Sequence, residues 1–129
     1  MSNSKSLLSL ELEELLLVGM GAVTGALLRW QVALQLHDQY LLANILGSAL
    51  LGLLVGLPGN HRRQLFLGIG FCGSFTTFSG WMLAATKKIS MGDWTAAMGL
   101  IGCTLGLGLG AGLFGYLLGK NLPNKSLFG

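Results

Sequence analysis

Charged residues divide the chain into apolar segments separated by short polar stretches. The segments 64–86 and 94–119 are largely uncharged, and each exceeds the roughly 20 residues that a helix needs to cross about 30 Å of hydrocarbon. The segment 41–57 is shorter and ends at Pro58-Gly59-Asn60, a turn sequence. Because backbone N–H and C=O groups must be paired inside a bilayer, we expect each segment to form a helix.

The first apolar segment contains one internal charge. Residues 15–28 are uncharged but too few to cross a bilayer, whereas an extension to Leu36 gives enough length and encloses Arg29. Arg29 then lies toward one end, where its side chain reaches the interface or faces the protein interior. The sequence predicts an all-α integral membrane domain over 15–120, with a polar N-terminal tail at 1–14 and a C-terminal tail at 121–129. The four transmembrane helices are predicted at about 15–36, 41–57, 64–86 and 94–119.

Composition and charge agree with a membrane protein that has no separate soluble domain. Of 129 residues, 52% are hydrophobic and 10% are charged, whereas soluble domains carry about 25% charge. The Lys and Arg residues divide weakly between the two predicted sides of the membrane, so insertion in both orientations is permitted. One side holds Lys5, Arg62, Arg63, Lys120 and Lys125, and the other holds Arg29, Lys87 and Lys88.

Several functions find no support in the residues. His37 and His61 lie in predicted turns away from paired carboxylates, so no acid-base pair is available. The two Gly-x-Gly-x-x-Gly strings, 68–73 and 110–115, lack the preceding strand that a dinucleotide site requires. The basic residues form no cluster of the kind that binds nucleic acid. We therefore predict that the protein is not an enzyme and that it binds no nucleic acid.

Glycines recur four residues apart in three of the predicted helices. Small residues at this spacing let helix backbones approach closely, either within one subunit or between two. The repeats are Gly21 with Gly25, Gly52 with Gly56, Gly102 with Gly106 and Gly110, Gly108 with Gly112, and Gly115 with Gly119.

The segment Gly70–Trp81 combines glycines, serines and two adjacent threonines in the middle of the third predicted span. These residue types weaken a helix or compete for its backbone hydrogen bonds. Two structures are compatible with the pattern. The helix is interrupted and its freed carbonyls bind an ion or line a cavity, or it is intact and the hydroxyls bond the preceding turn.

Asn44 lies inside the second predicted span. An amide in the membrane is costly unless it bonds a neighbouring helix or a ligand, and the sequence leaves both possibilities open.

Three motifs together resemble those of the CrcB/Fluc fluoride channel family. They are Gly25-Ala-Leu-Leu-Arg29-Trp30, Asn44-Ile-Leu-Gly47-Ser48, and the segment from Gly70 to Ser79, which reads Gly-Phe-Cys-Gly-Ser-Phe-Thr-Thr-Phe-Ser. The third motif is highly specific, and together the motifs extend the resemblance over nearly the whole chain.

This resemblance implies a third helix broken in mid-membrane and an antiparallel, dual-topology dimer of four-helix subunits. It implies a structural sodium ion held by the backbone carbonyls of Gly73 and Thr76. It places Asn44, Phe78, Ser79 and Trp81 in a fluoride pore and gives Arg29 a structural role. Trp81 and Gly80 depart from the family pattern, and the family's pore serine on the fourth helix falls near Cys103 or Thr104.

The implied function is passive export of cytoplasmic fluoride, which relieves fluoride toxicity, through a multi-pass protein of the cell inner (plasma) membrane. We expect a homodimer surrounded by membrane lipid, with a heterodimer of homologous subunits as the alternative. A small multidrug-type exporter is a second alternative. It needs an intramembrane carboxylate to couple protons, and the chain has no Asp or Glu between Asp38 and Asp93. A non-transporting assembly protein would leave the polar segment around Thr76 unexplained.

Overall fold

The computed structural model describes residues 2–36 and 39–122, and within these ranges every regular element is helical. Helix α1 is Ser2–Gln35 and α2 is Gln39–Gly56. The run 61–75, called α3 here, comprises a turn at His61–Arg63, a wide π-helical stretch at Gln64–Cys72 and a final turn at Gly73–Phe75. Helix α4 is Phe78–Ser90 and α5 is Trp94–Asn121.

Length and composition make this a multi-pass membrane protein. Three helical stretches are long and apolar enough to cross a bilayer, namely Ser4–Gln35, His61–Ser90 and Trp94–Asn121. The fourth predicted span corresponds to a shorter apolar helix, Leu41–Gly56. At 1.5 Å per residue, α2 is roughly 27 Å long, which is close to the thickness of the hydrocarbon core.

The N-terminal region differs from the predicted tail. The tail expected at 1–14 is helical from Ser2 onward and continues into the first span without interruption. The reason is its content of Leu and Glu, which favour helix, and the absence of Gly or Pro before Gly19. At the other end, α5 extends to Asn121. The predicted turn at His37-Asp38 and residues 123–129, including Lys125, lie outside the described residues.

Glycines bring α2 and α5 into backbone contact. A methyl group added at Gly52 would fall on the carbonyl oxygen of Gly112, and one at Gly56 would fall on that of Tyr116. From the opposite helix, a methyl at Gly115 would fall on the carbonyl oxygen of Ala49. These glycines therefore form a packing contact within the subunit.

Helices α1 and α3 approach one another in the same way. A methyl group at Gly21 would meet the carbonyl of Phe66, and one at Gly25 would meet that of Phe71. The repeats Gly21 with Gly25, Gly52 with Gly56 and Gly115 with Gly119 thus have partners in the same chain. The glycines Gly99, Gly102, Gly106 and Gly110 of α5 differ, because nothing lies within 4 Å of a methyl group placed on any of them.

The helix predicted at 64–86 is interrupted at Thr76 and Thr77. Thr76 has φ −79° and ψ 155°, and Thr77 has φ −144° and ψ 121°, so both residues are extended. The Thr77 hydroxyl oxygen accepts a hydrogen bond of 3.2 Å from the Gly80 N–H and thereby caps α4. The interrupted form is therefore the one that the chain adopts.

Candidate functional site

A groove of about 610 Å³ runs along the interruption, between α2 and the middle of α5. Most of its wall is apolar, and no Asp, Glu, Lys or Arg is among its lining residues. Its side-chain hydroxyl and amide groups belong to Asn44, Ser48, Thr76, Thr77 and Thr104. Hydroxyl and amide groups on an otherwise apolar wall suit a small ion that must exchange its water for protein groups.

Asn44 on α2 holds the extended backbone of Thr77 from both sides. Its amide nitrogen donates to the Thr77 carbonyl oxygen at 3.0 Å, and its carbonyl oxygen accepts from the Thr77 N–H at 2.8 Å. The interhelical contact, one of the two possibilities left open by the sequence, is therefore present. An amide nitrogen carries two hydrogens, so a second N–H remains for a ligand in the groove.

The interruption leaves several carbonyl groups without their usual helical donors, those of Gly73 and Thr76 among them. In a continuous helix the Gly73 carbonyl would accept from the Thr77 N–H, and the Thr76 carbonyl from the Gly80 N–H. Here the Thr77 N–H bonds Asn44 and the Gly80 N–H bonds the Thr77 hydroxyl. Gly73 is exposed, with nothing within 4 Å of an added methyl group. Freed carbonyl oxygens at a break are the groups that coordinate sodium in membrane proteins.

Arg29 on α1 brings positive charge to the same place. Its Nη1 lies 3.5 Å from the Thr76 carbonyl oxygen, at the long end of the hydrogen-bond range. Among the described residues, Arg29 has no carboxylate partner. The side chain is half-buried, so its charge acts on the interruption with less screening than a surface charge would.

Two aromatic side chains stand where α4 begins. The ring centroids of Phe78 and Trp81 are 5.1 Å apart with planes at 80°, an edge-to-face contact. Both residues line the groove, but Phe78 is 69% exposed and Trp81 only 6%. The edge of an aromatic ring is its positive side, so these rings can turn edges toward an anion. None of the described residues covers the exposed face of Phe78.

Comparison with known proteins identifies the family. The sequence profile described as "CrcB-like protein, Camphor Resistance (CrcB)" matches residues 16–116, which is most of the chain and includes the interruption. The chain belongs to the CrcB-like family. The resemblance drawn from the three motifs is thereby confirmed.

Curated relatives of the CrcB-like family match over much or nearly all of their length. A protein of Synechococcus sp. (strain CC9605) named "Fluoride-specific ion channel FluC 2" is 69% identical over 95% of this chain and 92% of its own length. A "Fluoride-specific ion channel FluC 1" of Prochlorococcus marinus is 45% identical over 78% of this chain and 77% of its own length. A "Fluoride-specific ion channel FluC" of Gloeobacter violaceus (strain ATCC 29082 / PCC 7421) is 39% identical over 84% and 98%.

The structure brings most of the residues predicted from the CrcB-like motifs to one place. Asn44, Gly73, Thr76, Phe78 and Trp81 all line the groove. Ser79 does not line it; its hydroxyl is exposed and lies 3.3 Å from the Thr77 hydroxyl. Arg29 does not line the groove either and contacts it through the Thr76 carbonyl.

Thr104 is the site residue that the sequence did not single out. It is 5% exposed, lines the groove, and its hydroxyl oxygen is buried without a hydrogen-bond partner in the described part of the chain. Its neighbour Cys103 is exposed. The two residues are adjacent in sequence and point to different sides of α5. Which of them faces the groove depends on how α5 is rotated about its axis, and the glycine contacts with α2 determine that rotation.

Proposed function

We propose that this chain is a subunit of a fluoride-specific channel through which fluoride leaves the cytoplasm passively, and that it is not an enzyme. The observation that carries the proposal is the groove at the interruption, where uncharged donors and aromatic edges stand together on an apolar wall. Fluoride is small and strongly hydrated, so a pore must replace its water with N–H and O–H donors and positive potential. The names of the curated relatives support fluoride as the ion.

The donors of the proposed pathway come from three helices. Asn44 offers its second amide N–H, Thr104 offers a hydroxyl that has no partner in the described chain, and Phe78 and Trp81 offer ring edges. Ser79 is included through the resemblance alone, since it lies beside Thr77 and outside the groove lining. Several weak contacts allow the ion to leave as well as to enter.

We further propose that Gly73 and Thr76 hold a structural sodium ion through their carbonyl oxygens. The residues fit this role because both carbonyls have lost their helical donors and Gly73 lies at the surface of the chain. A bound cation would add positive potential next to the anion pathway and fix the interruption. Arg29 would contribute charge at the same carbonyl.

The proposed assembly is an antiparallel, dual-topology dimer of four-span subunits in the cell inner (plasma) membrane. Two features support a second copy: the ring of Phe78 and the α5 glycines Gly99, Gly102, Gly106 and Gly110 are left uncovered by the described residues. We favour a homodimer. Relatives whose names carry the numbers 1 and 2 keep a heterodimer of homologous subunits as the alternative.

The test is fluoride efflux from liposomes that contain this purified chain alone, followed with a fluoride electrode and compared with chloride efflux. We expect fluoride flux without chloride flux. Flux that appears only when a second homologous subunit is added would replace the homodimer with the heterodimer, and chloride flux equal to fluoride flux would contradict selectivity.

Phe78→Ala provides the matching residue test. We expect loss of fluoride flux with assembly intact, because the Phe78 side chain is mostly exposed and its one ring contact among the described residues is the edge-to-face contact with Trp81. Phe114→Ala is the control, since Phe114 is also exposed, at 62%, and lies on α5 outside the groove. Undiminished flux in Phe78→Ala would remove Phe78 from the pathway.

A further inference from the structure

Among the described residues, the side chain of Trp81 makes a ring contact with Phe78 and its indole N–H makes no hydrogen bond, although the side chain is only 6% exposed. Buried Trp residues normally pair this N–H, because an unpaired donor in apolar surroundings is costly. The residue packs edge-to-face with Phe78, and a phenyl ring is not a conventional hydrogen-bond acceptor for the indole N–H. The donor is therefore available to a partner other than the described residues.

The nitrogen of Trp81 also remains accessible. In the described residues, the buried side-chain nitrogen and oxygen atoms that lack a partner are Arg63 Nε and Thr104 Oγ1. The Trp81 nitrogen is not among them, so it retains accessible surface, and Trp81 is a lining residue of the groove. Thr104, whose hydroxyl is buried and has no partner among the described residues, lines the same groove.

We infer that the Trp81 indole N–H donates a hydrogen bond directly to the anion in the groove and sets how tightly this channel holds fluoride. This inference rests on the proposed function. An N–H donor binds a charged acceptor more strongly than a ring C–H edge does. Fluoride concentrates its charge at a shorter distance than chloride, so the same donor also discriminates between the two halides.

The sharpest test removes the N–H and keeps the shape of the ring. Replacing Trp81 with benzothienylalanine, in which sulfur stands in place of the N–H, leaves a bicyclic ring of nearly the same size. We expect the fluoride concentration that gives half-maximal flux to rise about ten- to hundredfold, the usual range for a hydrogen bond to a charged group. Trp81→Phe, which retains an aromatic edge, should give a similar increase.

Fluorescence provides a second measurement that does not depend on flux. In the double variant Trp30→Phe, Trp94→Phe, Trp81 is the one remaining tryptophan; the two replaced residues are 57% and 62% exposed and lie outside the groove. We expect sodium fluoride to change the Trp81 emission in a saturable way, and sodium chloride at the same concentration to have little effect.

The outcomes separate this inference from the proposed function. If the unmodified chain carries fluoride but the benzothienylalanine variant keeps the same half-maximal concentration, the N–H donor is refuted and the channel stands. A Trp81 emission that does not respond to fluoride refutes it as well. If neither the unmodified chain nor its mixture with a homologous subunit carries fluoride, the proposed function fails, whatever the fluorescence shows.

Discussion

The two halves of helix α2 contact the rest of the subunit by opposite means. In the first half, the Asn44 amide bonds the extended backbone of Thr77 at 2.8 and 3.0 Å. In the second half, Gly52 and Gly56 bring α2 against the backbone of α5 with no side chain between them. The first half binds the irregular segment at Thr77 through polar groups, and the second half packs against the regular helix α5 because its glycines have no side chains.

This difference locates the function within the helix. Backbone groups of α2 and α5 are paired inside their own helices, so no backbone N–H or C=O group at their contact is free to bind a ligand. In the first half of α2, Asn44 accepts the hydrogen bond from the Thr77 N–H that the Gly73 carbonyl would accept in a continuous helix, so the Gly73 carbonyl becomes available. The chemistry therefore arises where one side chain substitutes for helical hydrogen bonds, while the glycine contact supplies the rigid frame.

The largest effect should come from removing the polar contact. In Asn44→Leu, the Thr77 N–H loses its partner in apolar surroundings, at a cost of about 1–3 kcal/mol, and the Thr77 carbonyl keeps only the bond that an N-cap residue accepts from its own helix. We expect loss of fluoride flux in liposomes and a clear fall in the thermal midpoint of the purified protein in detergent.

Gln31→Leu is the control for this change. Gln31 is an exposed amide on α1, and neither the groove nor the hydrogen bonds to Thr77 involve it. Flux in Asn44→Leu equal to that of the control would show that Thr77 keeps its conformation without Asn44.

The glycine half is tested on its α5 side. In Gly115→Val, the added side chain would fall on the backbone of Ala49, which cannot move aside as a flexible side chain would. Overpacking of this kind costs about 1–3 kcal/mol. We expect a lower thermal midpoint and reduced flux, because the first half of α5, which carries Thr104, moves away from the groove.

The same helix contains the matched control. Gly102→Val adds the same side chain at a position with nothing within 4 Å, so the subunit fold should tolerate it. Equal destabilisation by both variants would contradict the distinction between the two sets of glycines. If Gly102→Val lowers only the dimer fraction, measured by crosslinking, the open glycines belong to the dimer contact.

Local composition was enough to predict where the helices lie, but not which helices pack together or which side of a helix faces the groove. The Gly, Ser and Thr content around Thr76 marked the segment as one where a helix is weakened but left an interrupted and an intact helix open, and only the resemblance to the family implied the interruption. The close contact at Gly52 and Gly56 followed from their spacing, but their partner on α5 did not. Thr104 could not be separated from Cys103, since adjacent residues of a helix face different sides and only the packed structure determines which side is which.

Asn44 shows a second limit of the sequence. An intramembrane amide predicts a hydrogen bond without naming its partner. Its partner is the backbone of Thr77, 33 positions away, and a backbone group leaves no mark in the sequence. The helical N-terminus was missed for a different reason: the charges at 11–14 indicate a polar tail, whereas Leu and Glu together favour helix.

A smaller effect on stability, with the opposite sign, is expected at Thr104. Thr104→Val keeps the shape of the side chain and removes a buried hydroxyl that has no partner in the described chain. We expect the thermal midpoint to stay constant or rise, since the cost of burying that hydroxyl disappears. Fluoride flux should fall about tenfold, the effect of one lost hydrogen bond to an ion.

Thr95→Val controls for the same change at an exposed position of α5. A Thr104→Val protein that loses stability and keeps its flux would show that the hydroxyl is structural and that it does not contact the ion.

The smallest effect is expected where a polar contact lies in water. Glu13 and Arg62 form an ion pair of 2.6 Å, with side chains 43% and 74% exposed, so water screens their attraction. In a double-mutant cycle of Glu13→Gln and Arg62→Gln, we expect a coupling below about 1 kcal/mol that decreases with salt, and unchanged flux. Lys120→Gln, which removes an exposed charge that has no ion pair among the described residues, is the control. A Glu13–Arg62 coupling free energy as large as the stability lost in Asn44→Leu would mean that the distance between the atoms alone decides the strength of the two polar contacts. A small coupling would show instead that the apolar surroundings of Thr77 give the Asn44 contact its weight.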